Sequence, residues 1–109
     1  MKRSAKTIAS ILLAASAALL ASSPAQAGDA AAGEAKTGAC VACHGKDGKG
    51  TTPIYPNLGG QSEQYLAIAL KAYKTGDRNN PIMKPMVAAL SDTDIDNIAA
   101  YCAAQNPCK

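Results

Sequence analysis

Apolar residues recur at helical spacing in two segments of the chain. The first runs from Ser62 to Lys74, and serine is a residue type that often caps a helix N-terminus. Its apolar positions are Leu66, Ala69, Leu70 and Tyr73. Residues three and four apart share one side of a helix, so this spacing predicts a helix with one face turned toward a core.

The second segment begins at Ser91 and ends near Pro107. Asp92 and Asp94 lie in its first turn, where acidic side chains interact favourably with the positive end of the helix dipole. Its apolar face consists of Ile95, Ile98, Ala99 and Cys102. We interpret this face as core packing.

The rest of the chain combines one helix-prone segment with two irregular ones. Residues 29–41 are rich in alanine and predict a helix, although Gly33 within it should lower helix stability and indicates close approach of another backbone. Glycine and proline mark residues 45–60 and 76–85 as loops. Sustained alternation of apolar and polar residues is missing from the sequence. We therefore predict an all-α fold of three to four short helices.

The run Cys40-Val41-Ala42-Cys43-His44 carries the candidate chemistry. Two thiols three positions apart, followed at once by an imidazole, form the attachment signature of c-type haem. Each thiol can add to one vinyl group of the porphyrin, and the next residue on the helical turn points its ring at the iron. The sequence thus predicts one haem c, held by Cys40 and Cys43, with His44 as the proximal iron ligand.

Three other interpretations of this motif are weaker. A redox-active C-x-x-C of the thioredoxin type needs a βαβ context, of which the sequence has no sign. A zinc site needs a second ligand pair with about two to four intervening residues. Cys102 and Cys108 are the available pair, and five residues separate them. Chance occurrence in a core is the third alternative.

The first 27 residues have the features of a secretory signal peptide. A positively charged start is followed by an apolar stretch over residues 8–20, and Ala25-Gln26-Ala27 fits a small-x-small cleavage site. The positive charges are Lys2, Arg3 and Lys6. We expect cleavage after Ala27 and a location in the periplasm, with an uncleaved anchor as the alternative.

Removal of this segment changes the charge balance of the protein. The full chain has 11 Lys and Arg against 8 Asp and Glu, and three of those bases lie in residues 1–27, which leaves 8 against 8. A domain without excess positive charge is not expected to bind nucleic acid, which requires a basic face. Residues 28–109 also show no membrane-binding helix pattern, so we expect no stable membrane insertion.

An oxidising compartment permits a disulfide between the two cysteines outside the motif. Cys102 lies near the end of the last predicted helix, and Asn106-Pro107 lets the chain turn back so that Cys108 can approach it. We predict this disulfide, with two free thiols as the alternative.

The core of so small a domain is short of large apolar groups. The chain has no Phe, no Trp and four Tyr. A domain of about this length buries only roughly 60–65% of its unfolded surface. A buried porphyrin would fill the gap, so we expect the chain to be unfolded or molten without haem.

The iron of an electron carrier needs a second strong ligand opposite His44. This is the one histidine of the chain, so a methionine sulfur is the next candidate, and Met/His ligation raises the reduction potential. Met83 and Met86 both lie in the loop before the last helix. The residue pattern alone does not separate them.

Taken together, these features resemble the class I c-type cytochromes, especially the small monohaem carriers of the bacterial periplasm and the single domains of their dihaem relatives. The segments that carry the resemblance are Gly-Asp-Ala-Ala-Ala-Gly at 28–33, Cys-Val-Ala-Cys-His-Gly at 40–45, Pro-Asn-Leu-Gly-Gly-Gln at 56–61, Tyr-Leu at 65–66, Ile-Met-Lys-Pro-Met at 82–86, Leu-Ser-Asp at 90–92 and Ile-Ala-Ala-Tyr at 98–101. The resemblance implies that residues 28–109 form one cytochrome c domain. The Cys102 and Cys108 pair departs from the pattern.

The resemblance also implies roles for individual residues. Met83, about eight residues before the Ser-Asp start of the last helix, would ligate the iron. The carbonyl of Pro56 would accept the proton of the His44 ring, and Leu58 would pack against the porphyrin. Gly33 would meet the final helix near Tyr101.

The implied function is electron transfer, without enzyme activity, between other redox proteins of a respiratory or related chain. Docking would be transient, through a small interface, and Lys46, Lys49 and Lys84 either orient acidic partners or are simply solvated. One alternative is a haem enzyme or gas sensor, which needs distal polar groups at an open iron face, and Arg78 has no evident reason to reach the iron. Another is a subunit permanently bound to a larger dehydrogenase or oxidase.

Overall fold

A computed structural model describes residues 28–107, and these residues contain five helices and no strand. The helices are α1 (Ala30–Glu34), α2 (Gly38–His44), α3 (Glu63–Thr75), α4 (Met83–Val87) and α5 (Asp92–Ala104). The predicted all-α class is confirmed. Within the described part of the chain, every helix is too short or too polar to cross a membrane. The predicted signal peptide, its cleavage site and Cys108 lie outside the described residues.

The two longest helices begin where the sequence predicts, although α5 ends at Ala104, before the expected end near Pro107. Ser62 caps α3, because its Oγ accepts a hydrogen bond from the N–H of Tyr65, and Gly76 ends that helix in the left-handed conformation with φ of 89°. In α5, the Ser91 Oγ accepts from the N–H of Asp94, and the Asp94 carboxylate accepts from the N–H of Ser91. This reciprocal pair is a capping box.

The N-terminal segment predicted as one helix is two helices in the structure. Thr37, which is only 4% exposed, separates them. Its Oγ1 and its backbone N–H both donate to the carbonyl of Glu34, at 2.8 and 3.1 Å. The Thr37 carbonyl then accepts from the N–H groups of Cys40 and Val41, so that α2 starts as a separate helix.

A further helix, α4, begins within the segment predicted as a loop over residues 76–85 and extends to Val87. The Oδ1 of Asn80 accepts hydrogen bonds from the N–H groups of Ile82 and Met83, both at 2.9 Å. Pro85 follows in the first turn of α4, where a missing N–H costs no helical hydrogen bond. Because the N-terminal segment contains a helix break and the predicted loop contains the start of an additional helix, residues 28–107 form five helices where the sequence predicts three to four.

Helices α1 and α5 cross closely at Gly33, as expected. A Cβ at Gly33 would lie 1.9 Å from the carbonyl oxygen of Asn97, so only glycine fits there. The crossing is about one turn before the expected position at Tyr101. The Asn97 Oδ1 accepts from the N–H of Asp29 at 2.8 Å, and the N–H of Gly28 donates to Glu63 at the same distance. The start of the described chain is therefore tied to both α5 and α3.

The core lies between α3 and α5 and is small. It is formed by Leu66 of α3 with Ile98, Ala99 and Cys102 of α5. Ile95 is also fully buried, so the apolar face predicted for α5 packs inward as expected. In the structure Cys102 is a free thiol, and because Cys108 lies outside the described residues its disulfide stays a prediction.

Candidate haem-binding site

A cavity of about 420 Å³ lies beside this core. Its walls come from α2, α3, α4, α5 and the two loops, and most of the lining side chains are apolar. The volume falls in the range of roughly 300–1,000 Å³ that is usual for cofactor pockets. We call it the central cavity.

Helix α2 brings the attachment motif to this cavity. Cys40, Cys43 and His44 all line it, because residues three and four apart lie on the same side of a helix. His44 is only 8% exposed. Helix α2 ends at once after it, at Gly45 with φ of 79°, and a Cβ there would lie 2.0 Å from the carbonyl oxygen of Lys49. The glycine therefore lets the chain turn back along the cavity.

The ring of His44 is oriented by a backbone carbonyl. Its Nδ1 lies 2.9 Å from the carbonyl oxygen of Pro56, so the contact expected between these residues is present. Since a carbonyl oxygen can only accept, Nδ1 carries the proton and donates it. With Nδ1 as the donor, Nε2 is the nitrogen left to bind a metal. Tyr55 contacts the ring edge-on, with 6.5 Å between ring centroids.

The loop that carries Pro56 is closed by its own hydrogen bonds. The N–H of Thr51 donates to the carbonyl of Cys43 at 2.9 Å, and Asn57 Oδ1 accepts from the N–H of Gly50 at 2.7 Å. The N–H of Leu58 donates to another loop carbonyl, also at 2.7 Å. Leu58 thereby lines the cavity and packs against the core.

Three thiols face the central cavity, whereas the sequence assigned only two to it. Burial raises the pKa of the Cys40 thiol, and the neighbouring Cys43 raises it further. Burial also raises the pKa of Cys102 to about 11, and Cys40 contributes to that shift. Both thiols are therefore neutral near pH 7. Cys102 belongs to the apolar face of α5, and the sequence does not indicate that this face borders the cavity as well as the core.

Both candidate methionines reach the same cavity from α4. Met83 is partly buried and its N–H is held by Asn80, whereas Met86 is 47% exposed. The structure thus brings His44 and the two sulfur candidates to one space, from separate helices.

Arg78 and Asn80 also line the cavity, and the sequence did not assign them to it. The guanidinium of Arg78 lies over the ring of Tyr73, 4.6 Å from its centroid. Arg78 could have been singled out from the sequence because it is the one arginine in residues 28–109.

The donor set fits a haem c. Two thiols lie on one helical face, an imidazole keeps its Nε2 available, two thioether sulfurs share its cavity, and apolar side chains form the walls. These are the groups that covalent attachment and axial ligation of haem require.

Comparisons with known proteins agree with this site. The family model described as Cytochrome c matches residues 25–104. Cytochrome c-554(548) from Halomonas halodenitrificans is 60% identical over 82 residues, which cover 72% of this chain and 99% of that protein. The thiosulfate dehydrogenase electron acceptor of Thiomonas intermedia is 38% identical over 78 residues, which cover 71% of this chain and 36% of that protein.

A solved structure supports the same conclusion. Reduced recombinant cytochrome c4 from Pseudomonas stutzeri matches with a TM-score of 0.70 and 42% identity, covering 73% of this chain and 47% of that one. The chain therefore spans nearly all of the c-554(548) protein but less than half of these longer relatives. It has the cytochrome c fold, carries one haem c attached through Cys40 and Cys43, and exchanges electrons with redox partners. The chain belongs to the cytochrome c family.

Proposed function

We propose that this chain is an exported one-electron carrier whose haem iron is ligated by His44 and Met83. The haem, when bound, supplies the one-electron Fe(III)/Fe(II) couple. The observation that carries the proposal is the hydrogen bond from His44 Nδ1 to the Pro56 carbonyl, at 2.9 Å. It leaves Nε2 as a ligand in the cavity that Met83 also lines.

Pro56 and Leu58 support the proximal ligand. A hydrogen bond to the second ring nitrogen fixes the tautomer and orientation of a ligating histidine and raises its basicity. Pro56 has no N–H of its own to compete, and the hydrogen-bonded loop holds its carbonyl against His44. Leu58 covers the cavity wall with an apolar group, which keeps water away from the iron.

Two observations favour Met83 over Met86 as the distal ligand. Met83 begins α4, and its backbone is fixed through the 2.9 Å hydrogen bond to Asn80. Met86 is more exposed, and methionine is well suited to filling space at the edge of a cofactor. We assign ligation to Met83 and packing to Met86.

Ligation on both faces of the iron leaves no position for a substrate, which favours a carrier over an enzyme. The chain has no second histidine to act at an open face. Arg78 lines the cavity, but its guanidinium is exposed and stacked on Tyr73. This location suits the edge of the cofactor better than the iron.

The proposed partners are other redox proteins that dock transiently in the periplasm. The relative described as an electron acceptor for thiosulfate dehydrogenase supports a partner of the dehydrogenase class. Lys46, Lys49 and Lys84 are exposed and available to an acidic partner. Interfaces of this kind are small, below about 1,200 Å². The signal-peptide features of residues 1–27 support export, and we expect neither nucleic-acid binding nor stable membrane insertion.

A matched pair of variants, Met83→Ala and Met86→Ala, tests the ligation. Both would be purified from the periplasmic fraction, and their visible spectra and reduction potentials recorded. Oxidised Met83→Ala should lose the weak far-red methionine–iron band and have a lower potential, because a thioether ligand raises the potential. Met86→Ala should keep the band. The reverse pattern, or a band retained in both variants, contradicts the assignment, and a protein without c-type bands in its reduced spectrum contradicts the carrier function.

A further inference from the structure

The chain after α5 returns to the loop that carries Pro56. Helix α5 ends at Ala104, and the next residue, Gln105, has an extended backbone with ψ of 150°. The N–H of Gln105 donates to the carbonyl of Cys102 at 3.1 Å, and the same carbonyl accepts from the N–H of Gly60 at 3.3 Å. One carbonyl in the last turn of α5 thus joins the segment after the helix to this loop.

Pro107 packs against the end of the loop. A Cβ at Gly59 would lie 2.8 Å from Cδ and 3.2 Å from Cγ of Pro107, so the proline ring contacts the glycine backbone. The same Cβ would lie 2.6 Å from the carbonyl oxygen of Asp47. A Cβ at Gly60 would come within 4.0 Å of Pro107 Cδ. Both glycines therefore present their Cβ side to Pro107, which is itself half-buried.

A short run of backbone links this contact to the ligand histidine. The N–H groups of Leu58 and Gly59 both donate to the carbonyl of Gly48, at 2.7 and 3.0 Å. Leu58 follows two residues after Pro56, whose carbonyl accepts the proton of His44 Nδ1 at 2.9 Å. Because proline has a fixed φ, a displacement of Gly59 reaches the Pro56 carbonyl through few freely rotating bonds.

Burial does not hold the Pro56 carbonyl in place. Pro56 and most of the loop around it are exposed, so its position depends on contacts at the two ends of the loop. The first end is held by the hydroxyl of Tyr101, which donates to the carbonyl of Lys46 at 3.2 Å. The second end is held by Pro107 and by the hydrogen bond from Gly60 to α5.

We infer that Pro107 is a positioning residue for the proximal haem ligand. Its ring holds Gly59, and the loop then keeps the Pro56 carbonyl on His44 Nδ1. The inference rests on the proposed function, because it takes His44 as an iron ligand. It does not depend on the choice between Met83 and Met86.

Two measurable properties depend on the hydrogen bond from His44 to Pro56. It raises the basicity of the ligating ring, which stabilises Fe(III), so its weakening should raise the reduction potential. It also protects the Nδ1 proton from exchange with solvent, since exchange requires the loop to move away. Pro107→Ala removes the Cγ and Cδ atoms that contact Gly59 and releases the fixed φ of proline, so the loop should open more often.

Hydrogen exchange of the His44 Nδ1–H tests the inference, together with a redox titration. The reduced, haem-loaded protein would be followed by proton NMR after transfer to D2O. Pro107→Ala should exchange about fourfold faster than the wild type, the effect of losing roughly one buried methylene group, and should have a higher potential. Pro107→Val keeps an apolar side chain at this position, so both of its values should lie between those of Pro107→Ala and the wild type.

Ser91→Ala is the matched control for stability. It removes the hydroxyl that caps the start of α5, so it destabilises the same helix at the end away from the loop. Its exchange rate and potential should match those of the wild type. A wild-type rate and potential in Pro107→Ala, or the same changes in Ser91→Ala, overturns the inference. The proposed function fails in a different way, through a wild-type spectrum without c-type bands.

Discussion

Replacing Gly33 with alanine should damage the fold more than any other single methyl group added to α1. A Cβ at this position would lie 1.9 Å from the carbonyl oxygen of Asn97 and 2.4 Å from its carbon. Ordinary contacts begin near 3.4 Å, so the two helices would have to separate by about 1.5 Å. Backbone atoms on both sides leave no flexible side chain to absorb the change.

The cost of this separation follows from what holds the crossing together. The hydrogen bond from the N–H of Asp29 to Asn97 Oδ1, at 2.8 Å, would be stretched. Overpacking of this kind costs about 1–3 kcal/mol, and we expect about 2 kcal/mol for Gly33→Ala. For a domain of this size, 1 kcal/mol corresponds to about 4–8 °C in Tm, so Tm should fall by about 8–16 °C.

Gly38→Ala is the matched control, because a Cβ there would meet nothing within 4 Å. It lies at the start of α2, where alanine is favoured over glycine by up to about 1 kcal/mol. Both variants would be unfolded in denaturant as haem proteins and followed by far-UV circular dichroism. Gly33→Ala should be less stable than wild type and Gly38→Ala equal or more stable. Equal stability of all three proteins would refute the close crossing.

Two further predictions concern helix starts. Asn80→Ala removes the acceptor for the N–H groups of Ile82 and Met83. It should lower the free energy of unfolding by about 1 kcal/mol and weaken the far-red methionine–iron band on warming. Asn80→Asp keeps a side-chain acceptor, so its stability and its band should match those of the wild type. Asp94 accepts from the N–H of Ser91, and this hydrogen bond, with smaller contributions from the Ser91 hydroxyl and Lys36, lowers the pKa of its carboxyl. A lowered folded-state pKa stabilises the fold above the unfolded value of about 3.9 and loses that contribution as pH falls through the folded value. Between about pH 5 and pH 2, stability should therefore fall less steeply in Asp94→Asn than in wild type; parallel curves would contradict the capping box.

The features that the sequence predicts well are those encoded over a few neighbouring residues. The caps of α3 and α5 depend on Ser62 and Ser91 and on residues three positions away. The attachment motif is equally local, since Cys40, Cys43 and His44 share one helical turn. Such local features can be recognised in the sequence without knowledge of the rest of the fold.

The features that could not be predicted from the sequence depend on burial or on a contact between residues far apart in the chain. The break before α2 needs Thr37 to be buried, which only packing decides. Helix α4 depends on the direction in which the Asn80 side chain points. Arg78 reaches the cavity because the turn at Gly76 brings it back over Tyr73, and neither the turn nor the stacking can be inferred from apolar spacing.

Intact mass under denaturing conditions tests the central claim most directly, namely that an exported chain holds one haem through two thioether bonds. Wild-type protein from the periplasm should have the mass of residues 28–109 plus one haem, and acidified organic solvent should not remove the haem. A double Cys40→Ser, Cys43→Ser variant should release any haem it binds. A wild-type mass equal to that of the bare polypeptide would contradict the account.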